Sequence, residues 1–252
     1  MPGLTVIRLV AALAVVGKLF SLVPMTLALN EPDIMRAPVV DAVPYPSDGA
    51  VLALAGLAVV AAALLAAGVW DRLAAGVLAA GIAAVLALDA QLYANHLYLL
   101  GLVLLIWAVA PLDARAASYR WLVSIVYGFA ALTKLNVTYL SGLVLSANLG
   151  TGPVPLPEAL NVWWLLSGLA ILSVIVEAFL AVALWLPRWR REAVIVGVSL
   201  HAGILALMSP WWNLLVFGAV MLSLYTAYVG HPQTAAPENE PALDEVEASP
   251  AH

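Results

Sequence analysis

The chain has 252 residues, 64% of them hydrophobic and 10% charged, with a formal net charge of −5 and a mean hydropathy of +1.02. Water-soluble domains carry about a quarter charged residues and under half apolar ones, so the composition excludes an ordinary soluble globule. There is no cysteine, which removes disulfides, a thiol nucleophile and thiolate metal sites, and no basic stretch interleaved with aromatics suggests nucleic acid.

Several apolar runs reach about 18 residues, enough to cross a hydrocarbon core of about 30 Å at 1.5 Å per residue. They do not alternate as barrel strands do. The expectation is an all-α, multi-pass helical membrane bundle of about eight transmembrane helices, at 4–29, 50–69, 73–90, 92–110, 119–137, 161–186, 192–209 and 211–229. Lys18 interrupts the first run and no small-x-small cleavage site follows, so this segment reads as a retained span rather than a signal peptide. The third and fourth spans are separated by a tight turn near Ala90, the seventh and eighth by one near Pro210. Two longer connections, 30–50 and 140–161, are rich in glycine and proline, which excludes a regular helix throughout either. Residues 1–230 form one membrane-embedded domain. Residues 231–252 hold Glu238, Glu240, Asp244, Glu245 and Glu247 with no Lys or Arg, and are expected to be a disordered acidic cytoplasmic tail.

Lysine and arginine set the expected orientation. With the N-terminus inside, the inner connections hold Arg72, Arg115, Arg120, Arg188, Arg190 and Arg191, and the outer ones only Arg36. That bias gives N-in, C-in, and turns sequence positions into depths. Asn95 and His96 then lie about 5–7 Å into the outer end of the fourth span, Lys134 near the outer end of the fifth, and His201 about 12 Å from the outer surface. Three ionisable groups from three helices are thereby expected in the outer half of the membrane.

Each admits two readings. Lys134 either snorkels to the interface or sits in an apolar pocket as a neutral amine able to act as a base, with Tyr127 seven residues earlier on the same face. His96 and its neighbours Asp89, Gln91, Tyr93, Asn95 and Tyr98 form either an interfacial belt or the rim of a cavity. His201 has no ionisable residue within eight positions, and is either a satisfied core histidine or a functional one. Glu177 lies mid-membrane in the sixth span and requires a partner or a proton; Lys18, at a similar depth in the first, is its expected partner in a structural intramembrane pair. The "NVT" at 136–138 is a chance match to a glycosylation acceptor, since it hugs the membrane surface. No metal-ligand spacing, phosphate loop or paired-carboxylate pattern appears, so no metal is expected.

Five stretches in order, "VIRLV", "YPSDG", "LDAQLYANHLYLLGLVLL", "YGFAALTKLNVTYLSG" and "VEAFLAVALWLPRWRREAVIVGVSLHAGI", resemble the membrane domain of the vitamin K-dependent gamma-carboxylase family, over about residues 5–229. The resemblance implies a helical core that binds reduced vitamin K or menaquinone, with O₂ and CO₂ as co-substrates and a glutamate-containing peptide as acceptor. It implies Lys134 as the base that deprotonates the quinol, His96 as a second catalytic residue with Asn95, and His201 in the pocket beside Tyr98 and Tyr127. Departures from the family pattern are Thr133 in place of a second lysine, Tyr139 in place of a tryptophan, and Lys18 where an acidic residue is common. The large extramembrane domain that captures substrate in animal carboxylases is not part of the resemblance, and a separate substrate-capture protein is one expected partner. Two classes of function follow: a quinol-dependent carboxylase or epoxidase of the lyase type, or a non-catalytic, partner-dependent membrane protein for peptide maturation or export. In either case the protein is expected in the membrane (the cytoplasmic membrane if bacterial), its active face outward. A transporter lacks support, since no broken-helix pair or inverted repeat is visible.

Overall fold

The computed structural model describes residues 2–154, 157 and 161–228; the tail expected at 231–252 lies outside them. Among the described residues the chain is helical, without strands: α1 (Pro2–Ala28), α2 (Asp48–Ala67), α3 (Asp71–Leu88), α4 (Asn95–Val109), α5 (Leu112–Thr133), the short α6 (Val137–Leu140) and α7 (Leu143–Asn148), then α8 (Trp163–Ala183), α9 (Arg190–Leu207) and α10 (Trp211–Leu224), with 3-10 turns at Ala90–Leu92 and Tyr225–Tyr228. Every expected span overlaps one long helix. Five of them, α1, α2, α3, α8 and α10 with its terminal turn, are long and apolar enough to cross a membrane. Of the other three, α4 is shorter, and α5 and α9 carry charged residues near their starts.

The elements follow from local chemistry. Leucine, alanine and valine runs satisfy their own backbone groups as helix, which an apolar solvent requires. The Ser47 side chain accepts from the Ala50 N–H to start α2, and Gly68 ends it at φ 74°, donating to the carbonyls of Leu64 and Leu65. The outside of the bundle is apolar: Leu13, Phe20, Ile125, Phe129 and Ile175 are all more than half exposed. In water such a surface would aggregate; against acyl chains it costs nothing, and it marks a membrane-embedded protein.

Packing joins α1 to α2, α2 to α3 and α3 to α4 in one half, and α5 to α8 and α8 to α9 in the other. α10 connects them, touching α1, α4, α5 and α9. The arginines are not loop decoration. Arg72 donates to the carbonyls of Ala108, Val109 and Ala110 at 3.0–3.3 Å, and buried Arg115 donates to those of Trp107 and Ala110 while its guanidinium lies 4.3 Å from the Trp107 ring centroid. Arg190 donates to the Tyr228 carbonyl at 3.1 Å. Cations thus cover open carbonyls at helix C-termini. α5 starts at Leu112, seven residues before the expected 119: the charged stretch is helix rather than loop, with Arg115 covering the carbonyls that end α4 and Arg120 lying over the Trp185 ring.

Both long connections dock. In 149–154, the N–H groups of Gly150 and Gly152 donate to the Leu207 carbonyl and that of Val154 to Ala206. The preceding segment is not plain loop either, since α6 and α7 occupy 137–140 and 143–148. Gly142 turns between them at φ 82°, where a Cβ would lie 2.7 Å from the Leu166 Cβ.

Candidate functional site

Lys134 caps the C-terminus of α5. Two residues on, Asn136 accepts from the Tyr139 N–H with its side chain and starts α6, folding the chain back over the lysine. The Tyr139 ring centroid lies 5.2 Å from the Lys134 Nζ, and its hydroxyl bonds Ser173 of α8 at 2.8 Å. One turn further along α8 is Glu177. The Lys134 ammonium donates to its Oε1 at 2.5 Å, the one salt bridge among the described residues. The side chains are 25% and 6% exposed, respectively, so the carboxylate is enclosed while the ammonium keeps one open side. Glu177 Oε2 is buried with no hydrogen-bond partner among the described residues.

This corrects the pairing of Lys18 with Glu177. The two share a depth, but α1 packs on α2, α4 and α10, whereas α8 packs on α5 and α9. Lys18, 4% exposed, donates instead to Asn213 Oδ1 of α10 at 2.9 Å.

The expected convergence of Lys134, His96 and His201 is also corrected. His201, buried on α9, meets the Tyr127 hydroxyl of α5 through Nε2 at 2.9 Å. The Tyr127 hydroxyl also shares a short hydrogen bond with Tyr225 in the turn after α10. A Cβ on Gly197 would strike that Tyr225 hydroxyl, so α9 needs a glycine where the cluster passes. His96 sits in the other half of the bundle, at the start of α4, buried with Nε2 unpartnered among the described residues. Asn95 and Tyr98 turn outward: Tyr98 is half exposed, and the exposed Asn95 accepts from the Tyr93 hydroxyl at 3.1 Å. The helical angle between neighbours separates them from His96. Tyr127, on the helix that Lys134 caps, is bonded to His201.

A third polar cluster lies at the α3–α4 junction. Asp89, fully buried, accepts from the Tyr45 hydroxyl (2.6 Å) and from the N–H groups of Ala37 (2.7 Å) and Gln91 (2.8 Å). Arg36 lies over the Tyr45 ring. Burial pushes the Asp89 carboxyl up, but the hydrogen bonds from Tyr45, Gln91 and Ala37 outweigh it and hold the group below the ordinary carboxylate value. Burial and the neighbouring Asp89 together raise the Tyr45 phenol. The cluster fastens the 30–47 connection over α1–α4.

Beneath that connection is a cavity of about 460 Å³ between α1, α2, α3 and α4, with apolar walls and Lys18 as its charged lining residue. Neither Lys134, His96 nor His201 lines it. The roles of Asn213, Tyr225 and Asp89 were not read from the sequence. In the sequence Asn213 is visible only as an amide early in an apolar run, and Tyr225 carries no signal, since its hydrogen-bond partner Tyr127 is 98 positions away. No group of three metal-ligating side chains occurs among the described residues. Compared with protein-family models, curated proteins and solved structures, the chain matches none.

Proposed function

We propose that the protein crosses the membrane eight times with its arginine-capped end in the cytoplasm, and that it carries out quinol-dependent chemistry at the Lys134–Glu177 couple. The reaction proposed is carboxylation of a glutamate side chain, or the related quinol epoxidation, with CO₂ and O₂ as co-substrates. The observation that carries the reading is the buried carboxylate bonded to a lysine with one open side. The orphaned Glu177 Oε2, the open side of the ammonium and the Tyr139 ring suit a hydroxyl-bearing ring compound such as reduced vitamin K or menaquinone. When bound, a quinol supplies an acidic hydroxyl and the electrons for O₂.

The protein's part is to move a proton. Lys134 is held as an ammonium by Glu177 and becomes a base only when one N–H proton passes to Oε1. The transfer turns an ammonium–carboxylate pair into an amine–carboxylic acid pair with no change in net charge, so an apolar site does not oppose it. Rotation about the Cε–Nζ bond then turns the freed lone pair from Oε1 to the open side of the site, where it accepts a hydroxyl proton. Tyr139 and Ser173 hold the two side chains in register and exclude water from the carboxylate. His96, Asn95, Tyr98 and His201 are not part of this couple.

The test is quinone epoxide formation by the purified protein supplied with reduced menaquinone or vitamin K and O₂. Activity in the native chain, lost in Lys134→Ala and in Glu177→Gln, is the expected result. No epoxide from the native protein sinks the reading, and favours the non-catalytic, partner-dependent alternative in peptide maturation or export.

A further inference from the structure

The cavity between α1 and α4 lies in the half of the bundle without Lys134, and its chemistry is different. It runs along α1 from Thr26, under the 43–46 connection, to Val15, a length of about 16 Å at 1.5 Å per residue. The connection closes its end: Val43, Pro44 and Pro46 line the cavity while Tyr45, between them, is tied to Asp89. Its side is open, because Leu54 and Leu57 of α2 both line it and are 57% and 52% exposed on the bundle surface. A ligand therefore enters from the hydrocarbon rather than from water. The volume is that of a small-molecule site.

Lys18 sets the class of ligand. It is 4% exposed, lines the cavity, and has no carboxylate partner among the described residues. Its ammonium has three N–H donors and gives one, to Asn213. A buried cation with only an amide partner is costly, and an anion beside it removes most of that cost. On α4, next to cavity-lining Leu97, buried His96 Nε2 is unpartnered among the described residues. Among the described residues, Lys18 is thus the one charged group on the wall of an apolar slot.

We infer that this cavity binds one long-chain lipid acid, its carboxylate bonded to Lys18 and its chain lying between α1, α2 and α3. The carboxylate supplies the counter-ion that the fold withholds, and the pair is neutral overall wherever its proton sits. This site is separate from the Lys134 couple and does not depend on the quinol reading.

The experiment uses the full chain in nanodiscs of zwitterionic lipid, with radiolabelled oleate, methyl oleate and menaquinone as probes. The native protein retains one oleate per chain and binds methyl oleate about ten-fold more weakly, the loss expected for one charge-assisted hydrogen bond. Lys18→Met weakens oleate to the methyl oleate level and leaves the ester unchanged. Gly81→Phe keeps Lys18 and fills the slot, since a Cβ at this lining position meets nothing within 4 Å; it abolishes both. Equal binding of acid and ester by the native chain overturns the inference. So does oleate binding unaffected by either variant, or retention of menaquinone in preference to oleate.

Discussion

The two halves of the bundle each hold a lysine, half-buried in one and buried in the other, and they treat it differently. Among α5–α10, Lys134 meets a carboxylate, and the nearby tyrosines and histidine bond to one another. Among α1–α4, Lys18 meets only the amide of Asn213 and faces an apolar cavity. The first arrangement is electrostatically closed, apart from one carboxylate oxygen and one open side of the ammonium. The second is open, with a charge and a volume both awaiting something. A buried ion pair fixes geometry and suits proton movement within it, whereas a buried lone cation beside a void suits a ligand that brings the counter-charge.

The contrast is sharpest in the response to removing one charge from each half. Glu177→Leu leaves Lys134 uncompensated and destabilises by about 2–4 kcal/mol, the lower part of the range reflecting the partial exposure of the ammonium. The double variant Lys134→Met/Glu177→Leu recovers to within about 1 kcal/mol of native, because both charges are gone. Thermal unfolding in detergent measures both, and additive losses would show that the pair is not coupled. Tyr127→Phe strands the His201 nitrogen and the Tyr225 hydroxyl together and costs about 1–3 kcal/mol in the same assay. An unchanged melting temperature would mean the cluster is not a unit. Lys18→Met runs the other way, remaining within about 1 kcal/mol of native or exceeding it, since a lone buried charge is replaced by an apolar chain of similar length. A loss as large as that of Glu177→Leu would abolish the distinction between the halves.

The smallest effect concerns the roof of the cavity. The folded Asp89 carboxyl lies below its ordinary value, so its contribution to holding the 30–47 connection is complete above the unfolded value of about 3.9 and fades as pH falls through the lower folded one. Hydrogen exchange of residues 30–47 is therefore expected to be unchanged, once corrected for intrinsic rates, between pH 7 and 5 and to accelerate only in stronger acid. Tyr45→Phe, which removes one of the three hydrogen bonds to Asp89, accelerates it at every pH. Exchange that responds between pH 7 and 5 would remove Asp89 as the fastening group.

Much of the architecture was legible one helix at a time. Hydrophobic length located all eight long helices, and polar residues in apolar runs singled out Lys18, Lys134, Glu177, His96 and His201 as groups in need of an explanation. The misreadings share one cause. Arg115 and Arg120 have the look of loop charges in the sequence, yet Arg115 is buried in α5 and donates to carbonyls of a neighbouring helix end. Equal depth matches Lys18 to Glu177, and nearness along the chain groups Asn95 and Tyr98 with His96, but neither measure contains the rotation of a helix about its axis.

Helix formation in an apolar solvent is a local matter: each segment must satisfy its own backbone, so twenty apolar residues suffice to declare a helix, and the sequence determined the elements, the need for partners and the membrane as solvent. Which helix lies beside which, and how each is rotated about its axis, depends on contacts between residues far apart in the chain. Only the tertiary structure decided that Glu177 belongs to Lys134, that Tyr127 joins His201 to Tyr225, and that Lys18 faces a cavity, because depth is set along a helix while partnership is set around it.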